Sequence, residues 1–368
     1  MNQDFNLEEY LYHGIEDIIK GAIRASLKNP RESLFLAKFT HAAGEARKLR
    51  LQNEKEGEHI PPFLIASITS SCNLHCAGCY ARANQLCHDH GTQGMLTEQE
   101  WDRIFGEAGE LGISFILLAG GEPLLRKDVL EAASNHKDIL FPIFTNGTLM
   151  GNDYLKLFNQ HRNLVPILSL EGDRTITDRR RGEGTYQKLE DAMENMKKKG
   201  ILFGASITVT KENLKLISEA TFIDELNRMG CKVLFLVEYV PVSSETKELA
   251  PDDEDREFLS HELLSLRRSY KDMIFISFPG DEKSSGGCLA AGRGFFHINP
   301  SGGTEPCPFS PFSDTNLRST SIRNALKSPL FRRLSDSHML IKEHVGGCVL
   351  FEQEEEVRKL YQVINVKY

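Results

Sequence analysis

Apolar and polar positions follow two different rhythms along this chain. Before Gln52, apolar residues recur three or four positions apart, which predicts two amphipathic helices. Their stripes are Ile15, Ile18, Ile19, Ala22, Ile23 and Ser26 for the first helix, and Phe35, Phe39, Ala42, Ala46 and Leu49 for the second. Asn29-Pro30 is expected to end the first helix and cap the second. Both helices are expected to pack on the main domain; a lid or a partner-docking arm is the alternative. The charged segment from Gln52 to Pro62 predicts a linker.

From Phe63 onward, short apolar runs alternate with helical segments. The predicted strands are Phe63–Ile68, Ile113–Leu118, Ile139–Phe144, Val165–Leu170, Leu202–Val209 and Lys232–Val237. The predicted helices are Thr97–Gly109, Lys127–Ala133, Asp153–His161, Tyr186–Lys199, Leu214–Met229 and Pro251–Ser269. Six strand–helix units in strict alternation favour an α/β fold with a parallel sheet, either an open doubly wound sheet or a partial barrel.

The alternation stops after Tyr270, where Gly, Pro and Ser become dense as far as Asp314. This composition predicts a separate, loop-rich unit that cannot build a large core without a staple. Three cysteines, Cys288, Cys307 and Cys348, lie within it. The predicted organisation is a helical segment and linker over residues 1–60, an α/β domain over 61–270 and an extension over 271–368.

Composition narrows the classes of partner. The chain has 368 residues, 40% hydrophobic and 26% charged, which is ordinary for a globular protein. The net charge of -8 argues against nucleic acid as the main partner. No apolar run is long enough to cross a bilayer, so no membrane partner is expected. Eight cysteines without a recognisable signal peptide favour the cytoplasm, where thiols stay reduced.

The most informative motif is a group of three cysteines directly after the first predicted strand. Cys72, Cys76 and Cys79 have the spacing C-x3-C-x2-C. Three thiols on one short loop could hold three corners of an iron–sulfur cluster. A zinc site completed by a histidine is the alternative, and the nearby candidates are His75, His88 and His90.

A second motif, Gly120-Gly121-Glu122-Pro123, follows the second predicted strand. The carboxyl ends of parallel strands share one edge of the sheet, where functional loops gather. Glycines allow the backbone to approach a ligand closely, and a carboxylate can pair with an amino group. Alone, this tetrapeptide would be an unremarkable turn.

Together, the two motifs resemble those of the radical SAM superfamily. The resemblance implies a partial (β/α)6 TIM-like barrel with N-terminal helices and a loop-rich iron–sulfur extension. It assigns Cys72, Cys76 and Cys79 to a [4Fe-4S] cluster whose open iron binds S-adenosylmethionine (SAM). In this family the Gly-Gly-Glu-Pro loop holds the amino group of SAM. The implied reaction takes an electron from a low-potential, flavodoxin- or ferredoxin-like donor, cleaves SAM to a 5'-deoxyadenosyl radical and abstracts a substrate hydrogen.

Two further segments resemble the family less specifically. Thr145-Asn146-Gly147 is similar to its TNG turn, although an ordinary Asn-Gly turn explains it as well. Ser169-Leu170-Glu171-Gly172 is similar to an SLDG segment of peptide-modifying members, with Glu171 in place of Asp. Ser169 is then a candidate ligand of SAM, and the contact made by Glu171 is open. The following run Arg179–Arg181 is either a solvated turn or an anion grip.

One position of the cysteine loop departs from the family pattern. Gly78 stands where many relatives carry an aromatic residue or His that meets the adenine of SAM. Tyr80 comes one residue after the last cysteine, as in many members, and is a candidate cofactor-binding residue.

The C-terminal cysteines supply a second resemblance. Thirteen residues separate Cys288 from Gly302, four separate Gly302 from Cys307, and 40 separate Cys307 from Cys348. This spacing is similar to the opening of SPASM and twitch extensions, which bind auxiliary [4Fe-4S] clusters. The fourth ligand is open, the candidates being Cys87, Cys231, His297, His344, a carboxylate or the substrate. Zinc ligands or unlinked buried thiols are the alternative, and Cys231 is interpreted as a core residue.

The sequence also predicts a reaction class. Glu238, at the end of the last predicted strand, is a candidate catalytic proton acceptor or radical relay, against a structural strand end. The SPASM-like opening and the segment around Ser169 favour peptide or protein modification of the maturase type. A small-molecule or cofactor-biosynthesis substrate is the alternative, because no peptide-recognition domain is seen before the barrel. A non-enzymatic iron–sulfur or zinc protein is a third hypothesis, in which Gly-Gly-Glu-Pro would have no role.

Overall fold

A nine-stranded sheet organises the part of the chain that the structure describes. The structure is a computed structural model that describes residues 20–21, 29–91, 93–278, 286–341 and 348–365. The strands are β1 (Phe63–Thr69), β2 (Phe115–Gly120), β3 (Phe141–Thr145), β4 (Leu164–Leu170), β5 (Gly204–Val209), β6 (Val233–Glu238), β7 (Ile274–Phe278), β8 (His297–Ile298) and β9 (Thr304–Glu305). Their order in the sheet is β7-β6-β5-β4-β3-β2-β1-β8-β9.

Helices connect and cover these strands. Before β4 they are α1 (Pro30–Lys55), α2 (Tyr80–Ala83), α3 (Glu98–Glu110), α4 (Lys127–Asn135) and α5 (Asn152–Gln160). Between β4 and β7 they are α6 (Arg174–Arg181), α7 (Thr185–Lys198), α8 (Leu214–Ser218), α9 (Ala220–Met229) and α10 (Asp253–Ser269). In the extension they are α11 (Ile322–Ala325), α12 (Pro329–Asp336), α13 (Val349–Glu352) and α14 (Glu354–Asn365). None of the helices in the described part of the chain is long and apolar enough to span a bilayer.

The arrangement confirms the predicted fold class. Strands β1 to β7 pair in chain order and are all parallel, as in a partial TIM barrel. The parallel sheet has one strand more than the six that the sequence predicts. Ile274 on β7 pairs with Val233 on β6, although we had placed residues 274–278 in the loop-rich extension. The five-residue strand is hard to predict because the sequence after it is rich in Gly and Ser and has no helical pattern.

The C-terminal extension covers the other edge of the barrel. His297 and Ile298 on β8 pair in parallel with Ile65 and Ala66 on β1, and β9 pairs with β8 in the antiparallel sense. An uncovered edge strand would leave a row of unpaired backbone groups, so this pairing protects β1. The extension is thereby joined to the strand that leads into the cysteine loop. The division into three domains remains a prediction.

The described N-terminal helix packs on the barrel as predicted. Helix α1 begins at Pro30, and the side chain of Asn29 caps it. The ring of Phe39 meets that of Phe115 on β2 edge-on, with 5.3 Å between the centroids. The helix runs to Lys55 and therefore uses the first residues of the predicted linker. The first predicted helix lies outside the described residues, apart from two positions.

Two local differences affect the loops near the carboxyl edge. The predicted helix over 214–229 is split into α8 and α9 because Glu219 adopts an extended backbone conformation. Residues Arg174–Arg181, for which the sequence predicts no helix, form helix α6, whose first turn is capped by Asp173. Helix α6 brings the run of three arginines towards the cysteine loop.

Candidate functional site

The three motif cysteines follow β1 at the carboxyl edge of the barrel, where the fold predicts a site. Cys72, Cys76 and Cys79 are partly buried, and none of them forms a disulfide. The guanidinium group of Arg82 on α2 donates hydrogen bonds to the carbonyls of Leu74 (2.9 Å) and Cys72 (3.1 Å). These contacts hold the loop in a closed turn.

The environment of the loop prepares one thiol for metal binding. The pKa of Cys72 is lowered to about 6, chiefly by a hydrogen bond from the Cys87 thiol and also by the charges of Arg82 and Arg181. Burial raises the pKa of Cys76, and Arg181 opposes that shift. Thiolates are the metal-binding form of cysteine, so cationic neighbours favour a ligand role.

The Gly-Gly-Glu-Pro loop packs directly against the beginning of the cysteine loop. The N–H of Gly121 donates to the carbonyl of Thr69, and the N–H of Glu122 donates to the carbonyl of Ser71, both at 2.8 Å. A Cβ atom on Gly121 would lie 2.1 Å from the Ser71 oxygen and 3.1 Å from the Cys72 nitrogen. Only glycine fits here, and the two motifs of the sequence analysis form one structural unit.

Replacing Gly121 by alanine is therefore expected to disturb the cysteine loop. We expect the free energy of unfolding to fall by about 1–3 kcal/mol, as for other overpacked sites, and less iron to be retained after anaerobic reconstitution. Gly44 in α1 is the matched control, because a Cβ there meets no atom within 4 Å. Urea unfolding and iron analysis check both variants. Equal stability of Gly121→Ala and Gly44→Ala would contradict the packing argument.

Glu122 is buried at the junction of three loops and is 1% exposed. Its Oε1 accepts hydrogen bonds from the hydroxyl of Thr145 (2.6 Å) and the N–H of Leu124 (3.0 Å). Its Oε2 accepts one from the N–H of Asn146 (2.8 Å). Burial raises the pKa of Glu122 to about 7, although these hydrogen bonds oppose the shift. The carboxyl group therefore changes charge near neutral pH.

The predicted Thr-Asn-Gly turn also supports the cysteine loop. Asn146 donates from Nδ2 to Oδ1 of Asn73, which lies within the loop, at 2.9 Å. Asn73 in turn donates to the hydroxyl of Thr148 at 2.9 Å. Thr145 and Asn146 thus position Glu122 and the loop together.

Ser169 and Glu171 on β4 have different surroundings. Ser169 is partly buried and forms no hydrogen bond from its hydroxyl to another described residue. Glu171 is 1% exposed, and its two oxygens lie 2.5 Å from a nitrogen of Arg181 and 2.7 Å from a nitrogen of Arg180. Glu171 is one methylene longer than the Asp of the family segment, and its carboxylate is bound by the guanidinium groups of Arg180 and Arg181.

The arginines on α6 divide into two groups. Arg179 is exposed and pairs with Glu212. Arg180 binds the cysteine loop, donating from Nε to the carbonyl of Ala77 (3.1 Å). Arg181 lies with Nη1 3.9 Å from the sulfur of Cys76. Two arginines therefore face the loop and one faces solvent.

The C-terminal cysteines also come together. Cys288, Cys307 and Cys348 line one small cavity, whose wall includes the side chains of Phe278, Phe295, Phe309, Val240, Val349 and Glu238. A hydrogen bond from Cys307 lowers the pKa of Cys348, and the same pair raises the pKa of Cys307. The hydroxyl of Ser310, one turn from Cys307, is buried without a hydrogen-bond partner among the described residues.

Tyr80 lies between the two cysteine groups. Its ring contacts that of Phe309 in the extension, with centroids 4.9 Å apart. Burial raises the pKa of Tyr80, and Cys79 and Cys307 add to the rise. The residue therefore joins the cysteine loop to the auxiliary cavity.

The candidates for the fourth ligand of the auxiliary cluster have different surroundings. Cys87 lies beside Cys72, and Cys231 is buried at the opposite end of β6, where its sulfur bonds to the Val233 carbonyl. His297 has both ring nitrogens occupied, by Ser67 and by Glu305, each at 2.7 Å. His344 lies outside the described residues.

Glu238 is the carboxylate that lines the cavity. Its Oε1 accepts both hydrogen bonds from Arg256, at 2.6 and 3.0 Å. Its Oε2 has no hydrogen bond from another described residue.

Among the described residues, no three His, Cys, Asp or Glu side chains converge on one metal-ion position. A four-iron cube presents a separate corner to each thiolate, so its ligands need not meet at one point. His75, a candidate zinc ligand, is exposed and pairs with Asp89. The donor set is therefore rich in sulfur and spread over a loop.

Comparison with known proteins identifies the family. A family model described as the radical SAM superfamily matches residues 66–221, which include the cysteine loop and the Gly-Gly-Glu-Pro loop. Residues 66–221 belong to the radical SAM superfamily. The enzymatic nature predicted from the two motifs is thereby confirmed.

This radical SAM enzyme is similar in sequence to two relatives and in fold to one solved structure. The AdoMet-dependent heme synthase of Methanosarcina barkeri is 28% identical over 315 residues, which cover 78% of this chain and 88% of that protein. The Fe-coproporphyrin III synthase of the same organism is 31% identical over 157 residues, 42% of this chain and 38% of that protein. Streptococcus suis SuiB bound to S-adenosylmethionine shares the fold, with a TM-score of 0.66, 19% identity and coverage of 83% and 77%.

Sequence reasoning missed several residues that shape the site. Asn73 and Arg82 form hydrogen bonds that depend on side-chain geometry, and neither belongs to a recognisable spacing. Which of the three arginines, Arg179–Arg181, contacts the cysteine loop depends on how helix α6 orients each side chain. The capping residue Asp173 and the basic last turn are sequence signals that could have indicated this helix.

Proposed function

We propose that this radical SAM enzyme modifies a small-molecule precursor of a cofactor, and that the precursor is a tetrapyrrole. One observation carries the proposal: the likeness to a heme synthase spans 88% of that protein and 78% of this chain. That coverage extends well beyond residues 66–221, so the barrel alone does not account for it. Peptide modification, our first expectation, has weaker support. SuiB, which has been solved with a precursor peptide, shares only the fold at 20% identity, and fold does not determine substrate. A PqqA peptide cyclase of Granulibacter bethesdensis is 26% identical but covers 67% of this chain and 68% of that protein.

The cysteine loop and the Gly-Gly-Glu-Pro loop together form a first site, and its residues fit the cofactors that the family implies. Cys72, Cys76 and Cys79 would hold a [4Fe-4S] cluster, and Glu122 with its glycines would receive the amino group of SAM. The absence of space for a Cβ at Gly121 supports this fit, because it keeps the two loops in contact. When bound and reduced, the cluster and SAM supply a 5'-deoxyadenosyl radical that removes a substrate hydrogen atom.

The protein contributes position and charge. Glu171 orients Arg180 and Arg181, which in turn hold the loop at Ala77 and face Cys76. Hydrogen bonds and charges near cluster sulfurs influence reduction potential, so Arg181 would favour the reduced state. Glu171 therefore acts through Arg181.

The second cysteine group fits an auxiliary iron–sulfur cluster. Cys288, Cys307 and Cys348 would be its thiolate ligands, and Glu238 lines the same cavity with an oxygen that no described residue binds. The unpartnered hydroxyl of Ser310 supports the fit, since a buried hydroxyl without a partner is costly unless a ligand satisfies it. Glu238 is thus proposed as a cluster ligand.

Two aromatic side chains meet inside the barrel. Phe144 on β3 and Phe235 on β6 are three strands apart in the sheet, yet their rings lie 5.0 Å apart. Their contact shows that these side chains meet across the barrel interior.

Substrate-dependent turnover tests the assignment. The reconstituted enzyme is incubated anaerobically with SAM and dithionite plus iron coproporphyrin III, GTP or a peptide library, and 5'-deoxyadenosine and substrate masses are measured. We expect the tetrapyrrole to accelerate 5'-deoxyadenosine release and to change in mass. Acceleration by GTP or by peptides alone would contradict the tetrapyrrole proposal without affecting the radical SAM assignment.

The binding of SAM should depend on pH through Glu122. Because the pKa of this carboxyl is raised from 4.5 to about 7, it is largely ionised at pH 8 and largely protonated at pH 6. A protonated carboxyl is a poorer acceptor for an amino group, so we expect the Kd for SAM to rise about tenfold from pH 8 to pH 6. The free energy of unfolding of the cofactor-free protein should fall as the pH rises from about 4.5 to about 7, because over that range the unfolded chain has lost a proton that the folded protein keeps. Above pH 7 it should level off.

The control is Glu122→Gln, which cannot titrate. We expect it to bind SAM more weakly and with little change between pH 6 and pH 8. Calorimetry on both proteins measures the difference. The same tenfold pH dependence in Glu122→Gln would assign the titration to another group.

A further inference from the structure

Gly78 leaves a space in the cysteine loop that another part of the chain fills. Gly78 has a φ of +67°, and a Cβ atom there would lie 2.8 Å from the hydroxyl oxygen of Tyr239. Tyr239 directly follows β6 and is 4% exposed. The guanidinium carbon of Arg180 lies 6.0 Å from the centre of its ring. An aromatic side chain therefore stands at this point of the loop, although the loop itself supplies none.

The hydroxyl of Tyr239 has no hydrogen-bond partner among the described residues, and it is buried. Such a group normally loses favourable contacts with water without compensation. An orphan hydroxyl beside a cofactor loop indicates a partner that the protein does not itself provide.

The backbone directs Tyr239 away from the auxiliary cavity. Its neighbours Glu238 and Val240 both line that cavity, and successive side chains of an extended segment point to opposite sides. The N–H of Tyr239 donates to the carbonyl of Val209 at 3.0 Å, which fixes this alternation. The side chain of Tyr239 therefore lies on the side of the cysteine loop and belongs to the first site.

Glu122 and Tyr239 lie at opposite ends of the cysteine loop. The Glu122 loop packs on Ser71 and Cys72, at the start, whereas Tyr239 packs on Gly78, near the end. A ligand whose amino group is held near Glu122 would extend its other half towards Tyr239.

We propose that the Tyr239 hydroxyl binds the nucleoside half of SAM by a hydrogen bond. The proposal rests on the proposed function of the first site. The adenine and ribose of SAM offer several acceptors and donors, whereas its sulfonium centre offers none to a hydroxyl. Tyr239 is thus a cofactor-binding residue that takes the place of a side chain at Gly78.

Tyr239→Phe tests the proposal by removing only the hydroxyl. On the reconstituted protein, we expect the Kd values for SAM and S-adenosylhomocysteine to rise about tenfold, and the affinity for methionine, which lacks the nucleoside, to stay unchanged. On the cofactor-free protein we expect the Tm to rise by about 2 °C, because an unsatisfied buried group is removed. A purely structural hydroxyl would give a lower Tm.

Tyr270→Phe is the matched control, since its hydroxyl binds Asp224 at 2.8 Å, far from the cysteine loop. It should leave the affinity for SAM unchanged. Unchanged SAM affinity in Tyr239→Phe, a lowered Tm, or an equal loss of methionine affinity would each overturn the proposal. Failure of the wild-type protein to bind SAM at all would overturn the proposed function as well, which distinguishes the two.

Discussion

Replacing Cys76 by serine should abolish SAM cleavage and remove about half of the bound iron. The sulfur of Cys76 faces Arg181 on the loop that the family uses for its cluster, and a hydroxyl is a much weaker iron ligand than a thiolate. We expect the rate of 5'-deoxyadenosine release to fall by about three orders of magnitude, and iron to fall from about eight to about four atoms per chain. Anaerobic iron analysis and chromatography of the reaction products measure both.

Cys231→Ser is the matched control for this experiment. Cys231 is equally a cysteine, but it is buried at the opposite end of β6, and its hydrogen bond to the Val233 carbonyl can be made by a hydroxyl. Its iron content and SAM cleavage should remain close to those of the wild type. A Cys76→Ser protein that still cleaved SAM would refute the assigned site.

Replacing Cys307 by serine should show that the two cysteine groups bind iron independently. Cys307 lines the auxiliary cavity with Cys288 and Cys348, and no thiol of that group belongs to the first loop. We expect iron to fall to about four atoms per chain, while SAM cleavage without substrate persists at more than about one tenth of the wild-type rate. Substrate modification should be lost.

The outcome for Cys307→Ser is decided by iron and by cleavage measured on the same sample. Unchanged iron content would remove the auxiliary cluster from the account. Loss of both iron and SAM cleavage would show that the extension is needed to fold the first site, through the pairing of β8 with β1.

Much of the fold could be predicted from hydrophobic periodicity. The six predicted strands correspond to β1–β6, because buried parallel strands read as short apolar runs between helices. Strand β7 was missed because no helical pattern follows it. Helix α6 was missed because its sequence, rich in arginine and threonine, carries little apolar signal.

The candidate site was predictable as a set of motifs but not as a set of contacts. The spacing of Cys72, Cys76 and Cys79 and the Gly-Gly-Glu-Pro loop could be read directly from the sequence. The pairing of Glu171 with Arg180 and Arg181 could not, since it depends on a helix that periodicity did not reveal.

Tyr239 illustrates the same limit. The unusual Gly78 could be recognised in the sequence, whereas the tyrosine that fills its space comes from a strand end about 160 residues later. Long-range packing of this kind is specified by the closure of the barrel.

The most direct test of the central claim is electron paramagnetic resonance of the anaerobically purified, dithionite-reduced protein with and without SAM. We expect a [4Fe-4S] signal that changes when SAM is added to the wild type, and no SAM-dependent change in Cys76→Ser. A colourless protein that contains zinc and gives no iron–sulfur signal would contradict the account.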